Sequence, residues 1–277
     1  MWKKSLLLFA LMPLMWACTK NAFTGRQSLN LFPNAQINQM SFSEYRNFLA
    51  QNKAMASGTQ VDMVRRIGND LRAAVEVYYK ANKLGSDLKD FAWEFNVIDE
   101  PNTVNAFCMP GGKVVVYTGI LKVTQNEDAL AVVLGHEIAH ALANHGNERM
   151  SQQIVAQLGM ASLDLALAQK SAQTRSILMQ AAGAGAQVGV LLPFGRKHES
   201  EADEIGLYLT AMAGYNPNEA VPFWARMSKA GGSRPPEFLS THPDPTKRSA
   251  RLKELVPKAR AYAQKYPVTA SSRYRKK

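Results

Sequence analysis

The run Ala129-Leu130-Ala131-Val132-Val133-Leu134-Gly135-His136-Glu137-Ile138-Ala139-His140 constrains this chain more than any other stretch. It is apolar almost all round, so as a helix it must be buried, with the rest of the protein packed about it. His136 and His140 stand four apart, hence on one helical face, where both can hold a single metal ion. Glu137, one position on, is within reach of a water at that metal and can take its proton. The plainer reading is two core or surface histidines that happen to be four apart. Flanking signals favour the helix itself. Thr124 with Glu127 reads as a capping box, Glu127 and Asp128 place negative charge in the first turn, and Gly146 reads as the stop.

Two histidines do not complete an open catalytic zinc site, which uses three protein ligands and a water. Candidates for the third lie in His198-Glu199-Ser200-Glu201-Ala202-Asp203, expected to open a helix that runs to Ala213 and ends at Gly214. Glu199 and Glu201 are about 200° apart on a helix and do not both face one ion. Glu199 and Asp203 share a face. Glu199 is therefore the expected ligand, with Asp203 accepting a hydrogen bond from the far nitrogen of a ligand histidine and fixing its tautomer. Glu201 is expected to turn elsewhere, toward a basic neighbour such as Arg196 or Lys197. The alternative is a charged helix start that only complements its own dipole. With Glu199 the set is complete for one Zn2+ per chain.

The chain has 277 residues, enough for one large domain or two small ones, and its 46% apolar and 20% charged content is that of a globular protein. Helical periodicity covers roughly residues 34–53 and 59–84, the second segment carrying Val61, Val64, Ile67, Leu71 and Val75. From Phe91 the period changes to two, as in a half-buried strand. A hairpin is expected over 105–109 and 113–118 about the turn Pro110-Gly111-Gly112. It reads either as a purely structural element or as a sheet edge that pairs with an extended substrate, in which case Asn105, Ala106, Gly112 and Val114 are the contacts. Residues 151–193 are rich in Ala, Gly and Gln; packed helices or a lid over the site are favoured over a membrane span, because polar residues interrupt the apolar run. The expected fold class is α+β, mainly helical, with a small sheet beside the His-Glu-x-x-His helix.

Lys3 and Lys4 precede a short apolar run, Leu6 to Trp16, and then Ala17-Cys18, so residues 1–17 read as a secretory signal. Met15-Trp16-Ala17-Cys18 is similar to a bacterial lipobox, with Cys18 as the lipidated residue, although Met15 and Trp16 depart from the usual small and aliphatic types. Thr19 stands where an aspartate would signal inner-membrane retention, which favours the outer membrane. Residues 18–33 read as a lipid-anchored tether, 34–265 as the folded domain and 266–277 as a basic tail. With Cys18 taken by lipid only Cys108 remains, so the mature chain has no intrachain disulfide. Without Lys3 and Lys4 the chain holds 31 basic against 22 acidic residues, net +9. A solvated helix face accounts for this excess better than nucleic acid, which an exported protein rarely meets.

His136-Glu137-x-x-His140, followed by Glu199-x-x-Ala202-Asp203-x-x-Gly206, resembles the gluzincin metalloendopeptidases of the CAAX-prenyl-protease and HtpX type. Within that family the chain is most similar to bacterial periplasmic lipoprotein members and the mitochondrial inner-membrane stress protease. Asn105-Ala106-Phe107 with Pro110-Gly111-Gly112 resembles the family's strand before the zinc helix. Ser240-Thr241-His242-Pro243, with Arg248 beyond, resembles its closing motif. The resemblance implies a zincin-like fold, zinc held by His136, His140 and Glu199, and Glu137 as general base. It also implies that His242 lies near the site, to hydrogen-bond an oxyanion or to bind the metal at rest; otherwise His242 is a turn residue before Pro243. His145 and His198 match no ligand position and read as surface or packing residues. The expected activity is zinc-dependent cleavage of misfolded or misassembled envelope proteins in the bacterial periplasm, with envelope assembly factors as further partners. The rivals are a periplasmic chaperone or assembly factor with a latent, His242-inhibited site, and a purely structural metal site.

Overall fold

The computed structural model describes residues 18–187, 191–230, 236–242 and 245–269. The signal read at 1–17, Pro243 and Asp244, and 270–277 of the basic tail lie outside the described residues.

The segment expected to be an irregular tether is folded. Cys18–Lys20 (β1) and Gln27–Leu29 (β2) pair antiparallel, with Cys18 opposite Leu29. Phe23, in the connecting turn, stacks on Tyr78 with ring centroids 3.9 Å apart. Helix α1 (Asn34–Gln51) follows, and then α2 (Thr59–Ala81). Val61, Val64, Ile67, Leu71 and Val75 all turn to the interior of α2, as their spacing requires.

The sheet is three-stranded, β3 (Glu94–Ile98), β4 (Ala106–Met109) and β5 (Lys113–Tyr117), in the order β3-β5-β4. β3 runs parallel to β5, and β4 antiparallel to it. Gly111 and Gly112 take φ of +79° and +86° in the β4–β5 turn, and a Cβ on either would lie within 2.6 Å of Phe42 or Trp93. Only glycine suits both constraints. β4 is an edge strand.

After α3 (Thr118–Thr124) comes the central helix α4 (Glu127–Leu142), buried almost throughout. Its cap is Asn126, whose Oδ1 accepts from Ala129 N at 2.8 Å. The Thr124–Glu127 capping box does not form: Thr124 ends α3 and bonds back to Leu121 O. Gly146 is not the stop either. The chain turns at Asn144, in the left-handed region at φ +56°, and Gly146 already belongs to α5 (His145–Ala166).

The Ala/Gly/Gln-rich region forms α5 and α6 (Ala172–Ala186), which are tied by Arg175 and Asp164 and leave Leu158, Leu165 and Ile177 exposed. No helix among the described residues is long and apolar enough to cross a membrane. Helix α7 (Leu192–Met212) begins a turn and a half before the expected start at His198, with Pro193 in its first turn. α8 (Ala220–Lys229), the short α9 (Glu237–Thr241) and α10 (Pro245–Lys265) complete the order, α10 lying across α7 and α8. The architecture is therefore mainly helical α+β, as expected.

Candidate metal centre

α4 and α7 cross at backbone contact. A Cβ on Gly135 would lie 2.7 Å from Gly206 O, and one on Gly206 would lie 2.7 Å from His136 N. This close approach lets a carboxylate on α7 reach histidines on α4. His136 Nε2 and His140 Nε2 are 3.1 Å apart, and Glu199 Oε2 and Oε1 lie 3.3 and 3.4 Å from them respectively. His242, at the end of α9, brings Nδ1 to 3.2 Å from His136 Nε2 and 2.9 Å from Glu199 Oε2. These four residues form a group able to hold a metal ion. Donors about 2.0–2.1 Å from a tetrahedral zinc stand roughly 3.3 Å from one another, close to the spacings found. Imidazole nitrogens turned toward one another this closely cannot all carry hydrogens, so the group suits a cation. The donor set is that of a zinc site, and the residues present fit the ion.

Glu137 is buried beside this group. Its Oε1 has no hydrogen-bond partner, although His242 Nε2 approaches it to 3.4 Å. Burial pushes its carboxyl up to about 7. Glu199 behaves differently. Burial alone would raise it, but the imidazoles of His140, His136 and His242 outweigh that and hold it well below the usual carboxylate range. Asp203 shares the face of Glu199, and its Oδ1 lies 3.1 Å from His136 Nδ1. Arg248 completes this side. It donates to both Asp203 oxygens at 2.7 and 2.5 Å, lies 3.1 Å from Glu199 Oε2, and stacks 3.8 Å over the Trp224 ring.

Glu201 does not turn to Arg196 or Lys197. Its Oε2 lies 3.0 Å from His145 Nε2, and His145 Nδ1 lies 2.9 Å from His140 Nδ1. His145 and His198 are thus neither surface nor inert packing residues: both are 1% exposed and their rings stack with centroids 4.3 Å apart. His198 Nε2 lies 2.9 Å from Glu148 Oε2. Arg26 reaches this cluster from the N-terminal hairpin, bonding Glu201 at 2.7 Å and Glu148 at 2.8 and 2.6 Å. Sequence reasoning missed Glu148 and Arg26 altogether and took His145 for a surface or packing residue; the five-residue step from His140 to His145 was the one available signal.

A cleft of about 340 Å³ lies between α4 and β4, lined by Ala106, Cys108, His140, His145 and His242 among others. Asn105 O accepts from Tyr117 N, so the antiparallel alternation directs the backbone groups of Ala106 and Cys108 away from β5. The groups of the other expected substrate contacts are engaged within the fold. Val114 sits in the middle strand, paired on both sides and fully buried. Gly112 is used in the turn, its carbonyl accepting from Glu94 N. The Asn105 side chain bonds Glu237 and Ala106 N. Cys18 is exposed at the start of β1.

Residues 68–256 match the family model described as Peptidase family M48. The chain is 42% identical to the mitochondrial metalloendopeptidase OMA1 of Schizosaccharomyces pombe over 180 residues, 63% of this chain and 50% of that protein. It is 32% identical to the human mitochondrial metalloendopeptidase OMA1 over 245 residues, 85% of this chain and 45% of that protein. It is 34% identical to the beta-barrel assembly-enhancing protease of Escherichia coli over 154 residues, 53% of this chain and 31% of that protein. The chain thus spans half or less of the length of these relatives.

Proposed function

The chain belongs to peptidase family M48, and on that premise we propose that it is a zinc-dependent endopeptidase acting on misfolded or misassembled cell-envelope proteins. One observation carries this reading: Glu137 is buried, with its Oε1 free of any hydrogen bond, beside three donors at zinc spacing and next to a cleft lined by His140, His242 and residues of β4. His136, His140 and Glu199 would hold the zinc ion, which when bound would supply Lewis acidity toward a peptide carbonyl and a water. Glu137 takes the proton of the attacking water and returns it to the departing amine. The outward carbonyl of Ala106 and the outward backbone groups of Cys108 pair with an extended substrate and align its scissile bond along the cleft. Asp203, locked by Arg248, accepts from His136 Nδ1 and leaves Nε2 with its lone pair for the ion.

The test is cleavage of an unfolded polypeptide by the purified protein, with chelator and after zinc is restored. Glu137→Gln is expected to lower turnover by about 10²- to 10⁴-fold while zinc stays bound. Undiminished turnover in that variant, or equal loss of zinc, overturns the assignment.

A second reading, a chaperone or assembly factor with a latent site, is favoured by the position of His242, whose Nδ1 is seated among the ligand donors. In the same assay His242→Ala raises basal cleavage if that imidazole blocks the site. It lowers cleavage if His242 instead stabilises the oxyanion.

For location we infer lipid attachment at Cys18 and residence on the periplasmic side of the outer membrane. The short apolar run before Ala17-Cys18 and the likeness to a bacterial beta-barrel assembly-enhancing protease support it. Loss of labelled fatty acid in Cys18→Ser is the expected outcome, and undiminished labelling excludes this anchor.

A further inference from the structure

The two ligand histidines have their outer nitrogens held by different kinds of partner. His136 Nδ1 faces Asp203 Oδ1 at 3.1 Å, nearer than Arg248 Nη2 at 3.3 Å, and a carboxylate can only accept, so this contact sets its tautomer directly. His140 Nδ1 faces another imidazole, His145 Nδ1, at 2.9 Å. A neutral imidazole can present either a hydrogen or a lone pair there, so this contact alone leaves the tautomer of His140 undecided.

The decision is made one residue further out. His145 Nε2 lies 3.0 Å from Glu201 Oε2. That carboxylate accepts, so His145 carries its hydrogen on Nε2 and offers a lone pair at Nδ1. His140 must then donate from Nδ1, which frees its Nε2 lone pair for the metal. Without Glu201 as acceptor, His145 is free to place its hydrogen on Nδ1. His140 would then carry its own on Nε2, where it faces the other donors.

Glu201 is in turn held by the N-terminal hairpin. Thr24 Oγ1 donates to its Oε1, and Arg26 Nε donates to its Oε2 at 2.7 Å. The same guanidinium makes two bonds to Glu148, 2.8 and 2.6 Å, which fixes its plane. We propose that Thr24 and Arg26 are positioning residues of the metal centre, which hold Glu201 against His145 and so set the tautomer and ring orientation of His140. Both lie outside residues 68–256, the part of the chain that carries the family match. The proposal rests on the zinc-site reading of His136, His140 and Glu199. It makes metal affinity depend on the docking of a hairpin that begins at Cys18.

The experiment is a chelator-competition titration of zinc on the full chain, with the electronic spectrum of the Co2+-substituted protein as a second readout. Arg26→Ala is expected to weaken zinc by about 10- to 100-fold, the usual effect of losing an outer partner of a ligand, and to alter the Co2+ bands. Thr24→Val acts in the same direction but less, and Arg26→Lys recovers part of the loss. Arg72→Ala, which removes an exposed ion pair within α2, leaves affinity unchanged. In a His145→Ala background, Arg26→Ala causes no further loss, because the route to His140 is already cut. Wild-type affinity and spectrum in folded Arg26→Ala overturn the proposal. So does an equal loss with and without His145, since Arg26 would then act through general stability. If Arg26→Ala does not fold, Thr24→Val and Arg26→Lys decide in the same way. Failure of the wild-type chain to bind zinc at all would instead sink the zinc-site reading beneath it.

Discussion

Glu199 and Glu201 stand two residues apart on one helix and reach His140 from opposite sides. Glu199 lies against the Nε2 atoms of His136 and His140, while Glu201 acts on His140 from the other side of its ring, through His145. Their variants should therefore differ in kind. Glu199→Gln removes a charged donor and should abolish tight zinc binding. Glu201→Gln and Asp203→Asn each remove a partner of a ligand and should weaken zinc by about 10- to 100-fold, a loss read from bound zinc under graded chelator. Glu201→Gln indistinguishable from wild type would sever the His145 relay from the metal. From the helical wheel alone, Glu201→Gln should have been silent, and the reason is instructive. A wheel gives direction about one axis, so it correctly separated Glu201 from Glu199 and paired Asp203 with it. It cannot say what fills the space that Glu201 faces, which is supplied by Arg26, 175 residues away, and by His145 at the start of α5. His136, Glu137, His140, Glu199 and Asp203 were legible because spacings of one and four fix them. Arg26 and Glu148 were not, because no local pattern links them.

At the scale of elements, the centre depends on how closely α4 and α7 approach. Gly135 and Gly206 are in backbone contact where the helices cross, and Thr210 Oγ1 bridges to Ala131 O at 3.2 Å one turn further along. A methyl at Gly206 meets main chain, which cannot move aside as a flexible side chain can. Gly206→Ala should therefore cost about 1–3 kcal/mol, as overpacking does, and should also lower zinc occupancy, since Glu199 rides on the displaced helix. Denaturant unfolding and zinc analysis on the same sample check both halves. A destabilised variant that keeps full zinc affinity would mean that the crossing holds the fold but does not set the site. Elements with a strong internal period were legible in the chain itself. The buried face of α2 and the β4–β5 hairpin fall where the apolar spacing and the paired glycines put them. The ends of helices were less so. Asn126 took the cap expected of Thr124 because α3 runs up to Thr124 and consumes its hydroxyl on Leu121 O. Gly146 was passed over because Asn144 tolerates the left-handed turn.

Across the whole molecule, the N-terminal hairpin is tied to α5 and α7 by one guanidinium. Arg26 bonds Glu148 on the first and Glu201 on the second, and Glu148 is almost fully buried. Burial alone would raise the Glu148 carboxyl, but the bonds from His198 and Arg26 outweigh it and hold the group down to about 2, against an ordinary value of 4.5. The sign of the consequence follows from linkage. A carboxyl depressed in the folded state stabilises it fully above the unfolded value, because there both states are ionised and only the folded one has the partners. As pH falls from 4.5 toward 2 the unfolded chain takes up the proton first, and the contribution is lost. Glu148→Gln, which keeps the shape without the charge, should be less stable than wild type near neutrality. Its stability should also fall less steeply across that acid window. Denaturant unfolding of the zinc-free protein at successive pH values measures both. Because the two chains share every other carboxylate, the difference between their slopes isolates Glu148. Parallel slopes would mean that Glu148 gains nothing from Arg26 and His198, and the hairpin would then be held to α5 by its other contacts, such as the 2.9 Å bond from Leu31 N to Ser151 Oγ.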